Sequence, residues 1–241
     1  GTLDSILFTL ATHMEKERAL RSKVIGALIY PAIIVTFMII VLTVMMIFVI
    51  PRFTEVFREF QADLPLDTRI MIGLSNFMVN YFTLVVLLMA SIVIGMWFFL
   101  ARTQKGKIVF SWITLHIPLF RILVKKVNTA RAARALQTLI TSGVSILEAL
   151  SITSEVLQNH FYKQMFLEAK KSVEKGKSLN EILASYPALY PPLAVQLVSV
   201  GEQTGNLDLV LTDLAEFYEE EVDTMTKNLS SIIEPVLMIV M

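Results

Sequence analysis

The densest group of ionisable side chains in this sequence lies between residues 208 and 223. Its seven acids are Asp208, Asp213, Glu216, Glu219, Glu220, Glu221 and Asp223, and one base, Lys227, follows. Like charges this close on a helix repel one another, so an opposing positive charge would stabilise the segment. We predict that Glu216, Glu219, Glu220 and Asp223 contact a basic surface. That surface belongs to the chain itself, to a second subunit or to another protein, and the alternative is a solvated face.

The residue types needed for catalysis or metal binding do not form a known pattern. The chain has no cysteine, and His13, His116 and His160 match no metal-ligand spacing. It contains no Ser–His–Asp order, phosphate-binding loop or zinc-protease motif. Basic and acidic residues both number 21, so a bulk attraction to nucleic acid is unsupported. We predict no catalytic activity, cofactor, metal or nucleic-acid partner.

A stretch with two glycines, GEQTGNLD at residues 201–208, precedes the acidic segment. Gly201 is predicted to permit close packing, and Gly205 to end one helix before Leu207 starts the next. Asp208 then lies in the first turn, where a carboxylate meets the positive end of the helix dipole. A phosphate-binding role is disfavoured, because no strand precedes the stretch and no lysine follows it.

The composition indicates a polytopic membrane protein. Of the 241 residues 55 % are hydrophobic, and the mean hydropathy is +0.64, which is high for a soluble domain. Residues 28–50 and 81–101 contain no charge and predict two transmembrane helices. A third apolar run, 229–241, predicts the start of another transmembrane helix. We therefore expect the chain to be a piece of a longer protein, shortened at both ends.

One acid lies inside the third apolar run. Glu234 precedes Pro235 near the start of that run. An acid within a membrane is a functional candidate, but a shallow position would let its carboxylate reach the interface. Both interpretations stay open at this stage.

The distribution of basic residues predicts the orientation in the membrane. Bases are concentrated before the first span and after the second, whereas acids dilute those in between. By the positive-inside rule, residues 1–27 and 102–228 are cytoplasmic and residues 51–80 form an extracytoplasmic helical hairpin. Asp67 or Thr68 is predicted to cap the second helix of that hairpin.

Residues 102–228 have the helical apolar period and no persistent strand alternation, so the fold class is all-α. Ser145 with Glu148 and Ser178 with Glu181 match capping boxes, and Gly143 and Gly176 are expected to end helices. Six antiparallel helices are predicted at 127–141, 145–157, 160–175, 179–185, 191–203 and 207–228.

The segment 107–124 contains aromatic and aliphatic residues around Trp112. Two interpretations are open. The segment lies along the membrane interface, or it is a linker packed on the helical bundle.

The first 37 residues of the chain are similar to its last 37 residues. Aligned without gaps, residues 1–37 and 205–241 share eleven identical positions, among them Gly1/Gly205, Asp4/Asp208, Lys23/Lys227 and Pro31/Pro235. Both copies combine a turn, an amphipathic helix and an apolar run with proline near its start. The repeat predicts two similar halves, and residues 1–27 are then the last helix of a first cytoplasmic domain.

These residues resemble the type II secretion F family. The resemblance is carried along the whole chain by RSKVIGALIYP (21–31), VIPRF (49–53), SGVSILEAL (142–150), YPPL (190–193), GEQTGNLD (201–208), EFYEEEVD (216–223) and EPVL (234–237). The positions of this chain that match the characteristic motif are Gly201, Glu202, Gly205, Leu207, Asp208, Glu234 and Pro235.

The resemblance implies an inner-membrane platform protein without its own enzymatic activity. Its implied partners are a cytoplasmic pilus or secretion ATPase, other inner-membrane assembly components, pilin or pseudopilin helices, membrane lipid and further copies of itself. The ATPase is therefore one candidate for the protein whose basic surface contacts the acidic residues. A small-solute transporter is the main alternative, because duplicated halves are common among transporters. An intramembrane enzyme that uses Glu234 is a further one.

Overall fold

The computed structural model describes the backbone of residues 2–59 and 65–240. Side chains are described for residues 15–56, 65–66, 68–100, 102–118 and 120–229. Every regular element in this part of the chain is a helix, which confirms the all-α prediction. The chain divides into two compact units, 1–27 with 102–232, and 28–101 with 233–241. We call the first unit the bundle and the second the apolar unit.

The helices follow one another with short connections. Their bounds are α1 Thr2–Val44, α2 Ile50–Glu59, α3 Leu66–Asn80, α4 Phe82–Arg102, α5 Gln104–His116, α6 Pro118–Thr141, α7 Ile146–Val156, α8 His160–Val173, α9 Leu179–Ala184, α10 Pro192–Thr204 and α11 Leu207–Val240. A π-helical segment, Met45–Val49, joins α1 to α2 without a break.

Two helices of the described chain are long and apolar enough to cross a membrane, Glu15–Val56 and Phe82–Leu100. The second lies in the apolar unit, and the first begins in the bundle and continues into the apolar unit. The π-helical segment bonds i to i+5 and therefore disturbs the regular α-helical ladder. The Ser75 hydroxyl of α3 donates to the Met46 carbonyl in this segment at 2.5 Å, and Ser75 is 1 % exposed. This bond joins α3 to the end of the first candidate span.

The structure corrects one detail of the predicted hairpin. Pro65, and not Asp67 or Thr68, occupies the N-cap position of α3. The Pro65 carbonyl accepts the first helical bond, from the Arg69 amide at 3.1 Å, and proline lacks an amide donor that would need a partner there. Helix α2, which follows the π-helical segment directly, ends at Glu59, so the helical conformation extends beyond residue 50.

The bundle has one core, to which α6–α11 contribute buried side chains. Alanines on α6 are almost inaccessible, with Ala130 0 % and Ala133 2 % exposed, so neighbouring helices approach its backbone closely. Tyr162 of α8 is fully buried, and its hydroxyl donates to the Leu189 carbonyl before α10. Leu20 of α1 is 6 % exposed and belongs to the same core.

Glycine ends α6 and α8, as predicted. Gly143 and Gly176 have φ values of 79° and 84°, in the left-handed region that only glycine enters without strain. After each glycine the next amide donates back into the helix. The bond from Val144 to the Leu139 carbonyl is 3.0 Å long, and that from Lys177 to the Ser172 carbonyl is also 3.0 Å.

Candidate functional site

The acidic residues lie on α11, whose apolar residues orient them. Leu211, Leu214, Tyr218 and Val222 recur at helical spacing and are at most 3 % exposed, because they pack in the bundle core. With this stripe turned inward, the acids occupy the flanks and the outer surface of the helix. The flanks meet α1 and α6, and both helices present bases there.

The strongest charge pair joins α6 to α11. The Arg134 guanidinium donates from Nε to Glu219 Oε1 and from Nη2 to Glu219 Oε2, each at 2.9 Å. Arg134 is only 8 % exposed, so its charge is largely removed from water. Two parallel bonds satisfy the planar fork, which is the arrangement that best compensates a buried guanidinium.

A second pair binds the same two helices nearer to the start of α6. Lys126 Nζ lies 2.5 Å from Glu221 Oε2, and both side chains are partly exposed. Lys126 and Arg134 are two turns apart on α6, and Glu219 and Glu221 lie within one turn of α11. Together the two pairs hold α6 against one flank of α11.

The other flank of α11 faces α1. Lys23 Nζ lies 2.8 Å from Asp223 Oδ1, and Lys16 Nζ lies 3.9 Å from Glu216 Oε1. Lys227 also contacts Asp223, with Nζ 2.6 Å from Oδ2. The two lysines, first Lys227 and then Lys23, lower the pKa of the Asp223 carboxyl below its ordinary value.

The lysines that share Asp223 are equivalent in the internal repeat. Lys23 and Lys227 occupy the same position in copies 1–37 and 205–241. The position that corresponds to Asp223 in the first copy is Ala19. One carboxylate on α11 therefore binds the same lysine of both copies, and this contact joins α1 to α11.

Arg131 adds a further positive charge where α6 faces α1. Burial lowers the pKa of Arg131, the nearby carboxylate of Glu17 opposes this effect, and Arg21 adds to it. The Nε of Arg131 is buried without a hydrogen-bond partner among the described side chains. Glu17 therefore supplies negative charge to a site where two arginines, Arg131 and Arg134, lie one turn apart.

The four acids predicted to contact a basic surface occupy two kinds of position. Glu219 and Asp223 bond to Arg134, Lys23 and Lys227 of the same chain. Glu216 is 60 % exposed and approaches Lys16 and Arg134 only to 3.9 and 4.0 Å. Glu220 is exposed and has no ion pair with any side chain that the structure describes. Contact with a second protein stays a prediction.

Glu202 performs a structural task that the sequence analysis missed. Its carboxylate accepts from the backbone amides of Leu179 at 2.6 Å and Asn180 at 2.9 Å, and so it caps the first turn of α9. The predicted capping box of Ser178 and Glu181 is wrong, because the Ser178 hydroxyl contacts the Asn180 side chain instead. Ser145 does cap α7, by accepting from the Glu148 amide at 3.3 Å.

Three other motif residues shape the connection between α10 and α11. A Cβ on Gly201 would lie 3.1 Å from Val210 Cβ and 3.2 Å from Leu207 Cα, so glycine permits the close approach. Gly205 ends α10 with φ 73°, and Asp208 lies in the first turn of α11. Glu234 and Pro235 belong to the helical backbone of α11, but their side chains lie outside the described residues.

The described interior of the bundle offers little space for a substrate. A cavity of about 10 Å³ lies between α6, α8, α9, α10 and α11, and Thr129 and Tyr190 are among its lining residues. This volume holds about one water molecule. No group of three or more His, Asp or Glu residues in the described part is placed to bind a metal ion.

Removal of one partner from the buried charge pair should destabilise the bundle. Glu219→Gln removes the bidentate carboxylate partner of Arg134 and leaves Glu216 Oε1 only at 4.0 Å, so it is expected to lower the free energy of unfolding by about 2–4 kcal/mol. Urea unfolding of the purified chain in detergent measures this quantity. The matched control is Glu220→Gln on the exposed surface, with an expected change within about 0.5 kcal/mol. Equal effects of the two substitutions would contradict the assignment.

The shared carboxylate should make stability depend on acid pH. Because the pKa of Asp223 is lowered in the folded chain, its contribution is present at neutral pH. That contribution disappears as the pH falls below about 4. Asp223→Asn is expected to be less stable than the parent at pH 7 and to lose less stability between about pH 5 and pH 3. Unfolding curves across this range measure the difference. Asp213→Asn is the control and should keep the parent's profile.

Comparison with known proteins gives consistent matches. The model of the family described as Type II secretion system (T2SS), protein F, matches residues 1–51 and 132–241. The type IV pilus assembly protein PilC of Thermus thermophilus is 36 % identical over 239 residues, which cover 99 % of this chain and 59 % of that protein.

Two further relatives show the same extent of similarity. PilC of Pseudomonas aeruginosa is 32 % identical, over 100 % of this chain and 64 % of its own length. The type II secretion system protein F of Aeromonas hydrophila is 31 % identical, over 100 % of this chain and 62 % of its own length. The chain spans about three-fifths of the curated relatives that it matches. It belongs to the type II secretion system protein F family.

Proposed function

We propose that this chain is part of an inner-membrane platform that assembles a type IV pilus or a type II secretion pseudopilus. The observation that carries the proposal is similarity along the whole chain to relatives named for these two machines. The two candidate spans agree with a membrane location. The platform has no catalytic role of its own in this account.

The proposed topology places both charged parts in the cytoplasm. Residues 1–27 and 102–228 carry most of the bases, so they are cytoplasmic by the positive-inside rule. Residues 51–80 then form a periplasmic hairpin between the spans, and 229–241 begin a third span. On this topology the acidic helix α11 leads from the cytoplasm towards the membrane.

Two long helices provide the proposed mechanical coupling. Both α1 and α11 are continuous over charged and apolar segments, from Thr2 to Val44 and from Leu207 to Val240. The contact of Lys23 with Asp223 joins these helices, and the contact of Arg134 with Glu219 fixes α11 to α6. A force on the bundle would therefore move both helices together. In this proposal a cytoplasmic ATPase applies the force, and the spans transmit it to pilin or pseudopilin helices.

The exposed acids of α11 are the proposed contact with the ATPase. Glu220 and Asp213 face solvent, and neither has an ion pair among the described side chains. Their negative charge is available to a basic surface, whereas Glu219 and Asp223 are neutralised within the chain. Other inner-membrane assembly components and further copies of the chain are also proposed partners.

Photo-crosslinking in cells tests this function. A photoreactive amino acid at position 220 is expected to capture a pilus or secretion ATPase, identified by mass spectrometry. The same amino acid at position 181, exposed on α9, is the control and should not capture it. Glu220→Lys should abolish pilus assembly or secretion at an unchanged level of the chain, because it reverses the charge of the contact. Capture of only its own chain, with normal assembly in Glu220→Lys, would contradict the proposal.

A further inference from the structure

Helix α5 buries its small residues and exposes its large apolar residues, which is the opposite of a helix on the surface of a soluble bundle. The small residues Gly106 and Ser111 are buried, with Ser111 3 % exposed. The large apolar residues face outward, with Phe110 54 % and Trp112 52 % exposed. A soluble domain seldom leaves a contiguous patch of this kind open to water.

This exposure is concentrated in one place on the bundle. Seven large hydrophobic residues are exposed between residues 108 and 122, and only five are exposed in the rest of the described bundle. The seven are Ile108, Val109, Phe110, Trp112, Ile113, Ile117 and Ile122. We call these seven residues the apolar ridge.

Packing of its small face holds α5 firmly. The Ser111 hydroxyl accepts from the His160 amide at the start of α8 at 3.1 Å. Leu115 packs against the core, and Leu123 of α6 is 4 % exposed. Because one face of α5 is bound to the bundle, the outward direction of the apolar ridge follows from the fold. The inner face thus agrees with the interpretation that segment 107–124 packs on the bundle, and the interpretation that it lies along the membrane concerns the outer face.

Positive charge surrounds the apolar ridge. Lys105, Lys107 and Arg121 are exposed beside it. No acid occurs in the sequence between Asp67 and Glu148, so these bases have no acidic neighbour along the chain. An apolar surface with an aromatic residue and a basic rim is typical of a helix that lies in the headgroup region of an anionic bilayer.

In the sequence, α5 follows directly after the second candidate span. Helix α4 contains the candidate span Phe82–Leu100 and ends at Arg102. Thr103 alone separates it from α5, and the Thr103 hydroxyl caps α5 by accepting from the Gly106 amide at 2.9 Å. The first turn of α5 therefore follows the membrane end of α4 within a few residues.

We propose that the apolar ridge lies in the cytoplasmic surface of the bilayer and that Lys105, Lys107 and Arg121 bind anionic lipid headgroups. The bundle is then attached to the membrane by its own surface in addition to the spans. This inference requires the membrane location of the chain and does not require its role in pilus assembly or secretion. A second copy of the chain on the same ridge would be the competing occupant.

Tryptophan quenching tests the proposal, because the sequence contains only Trp97 and Trp112. Trp97→Phe leaves Trp112 as the sole reporter in the full chain. In nanodiscs, lipid brominated near the glycerol end of its acyl chains is expected to reduce Trp112 fluorescence about twofold. Lipid brominated near the terminal methyl should act more weakly. Trp112→Phe retains Trp97 on α4, which is 66 % exposed, as the positive control for contact with acyl chains.

Two results would overturn the proposal. If iodide in the aqueous phase quenches Trp112 and brominated lipid does not, the ridge faces water. If neither quencher acts on Trp112, protein covers the ridge, and a dimer in the same nanodiscs would identify a second copy.

The basic rim has its own test. Quenching of Trp112 by brominated lipid should increase when the nanodisc contains about 30 % anionic lipid, because charge draws the ridge to the surface. The combined Lys105→Gln, Lys107→Gln and Arg121→Gln variant should lose this increase. Lys171→Gln, Lys175→Gln and Lys177→Gln remove three other exposed lysines as the matched control and should retain it. Loss of the increase in both variants would overturn the role of the rim.

Discussion

The structure of the bundle depends on how the buried charge of Arg134 is compensated. A guanidinium that is 8 % exposed is costly to bury without a paired carboxylate, and Glu219 of α11 bonds to it through both carboxylate oxygens. This pairing and the apolar stripe of α11 favour the same rotation of the helix, since Glu219 faces α6 when Leu214 and Tyr218 enter the core. The outward direction of Glu220 follows from the same rotation.

Duplication explains why two long helices meet at one carboxylate. The repeat places a lysine at the same position of α1 and α11, and both lysines bind Asp223. Since the first copy has Ala19 in place of Asp223, the contact is asymmetric, and a single substitution can remove it. The acidic helix therefore has an inner flank that holds the chain together and an outer surface that remains available to a partner.

Local patterns in the sequence predicted α7 to α10, the start of α11 and the glycine ends of α6 and α8, because apolar spacing and left-handed glycines act over a few residues. They placed the start of α6 at residue 127 instead of Pro118 and did not predict α5. The same reasoning failed where a bond joins distant residues. Ser178 and Glu181 suggested a local cap for α9, but Glu202, more than twenty residues away, supplies it. The pairing of Arg134 with Glu219 was also out of reach, because sequence spacing does not determine how α6 rotates against α11. The family motifs singled out residues 201–208. The structure shows that Gly201 permits close packing of α10 on α11, that Glu202 caps α9 and that Gly205 ends α10.

We propose that charge pairs fix α1 to α11, so that the two helices move together. The measurement that tests it most directly is the distance distribution between spin labels at Arg18→Cys and Thr224→Cys, obtained by double electron–electron resonance. Both positions are exposed, and the sequence has no other cysteine to be labelled. We expect one narrow distribution that Glu220→Gln preserves and Asp223→Asn broadens. A broad distribution in the parent chain, or no effect of Asp223→Asn, would contradict the account.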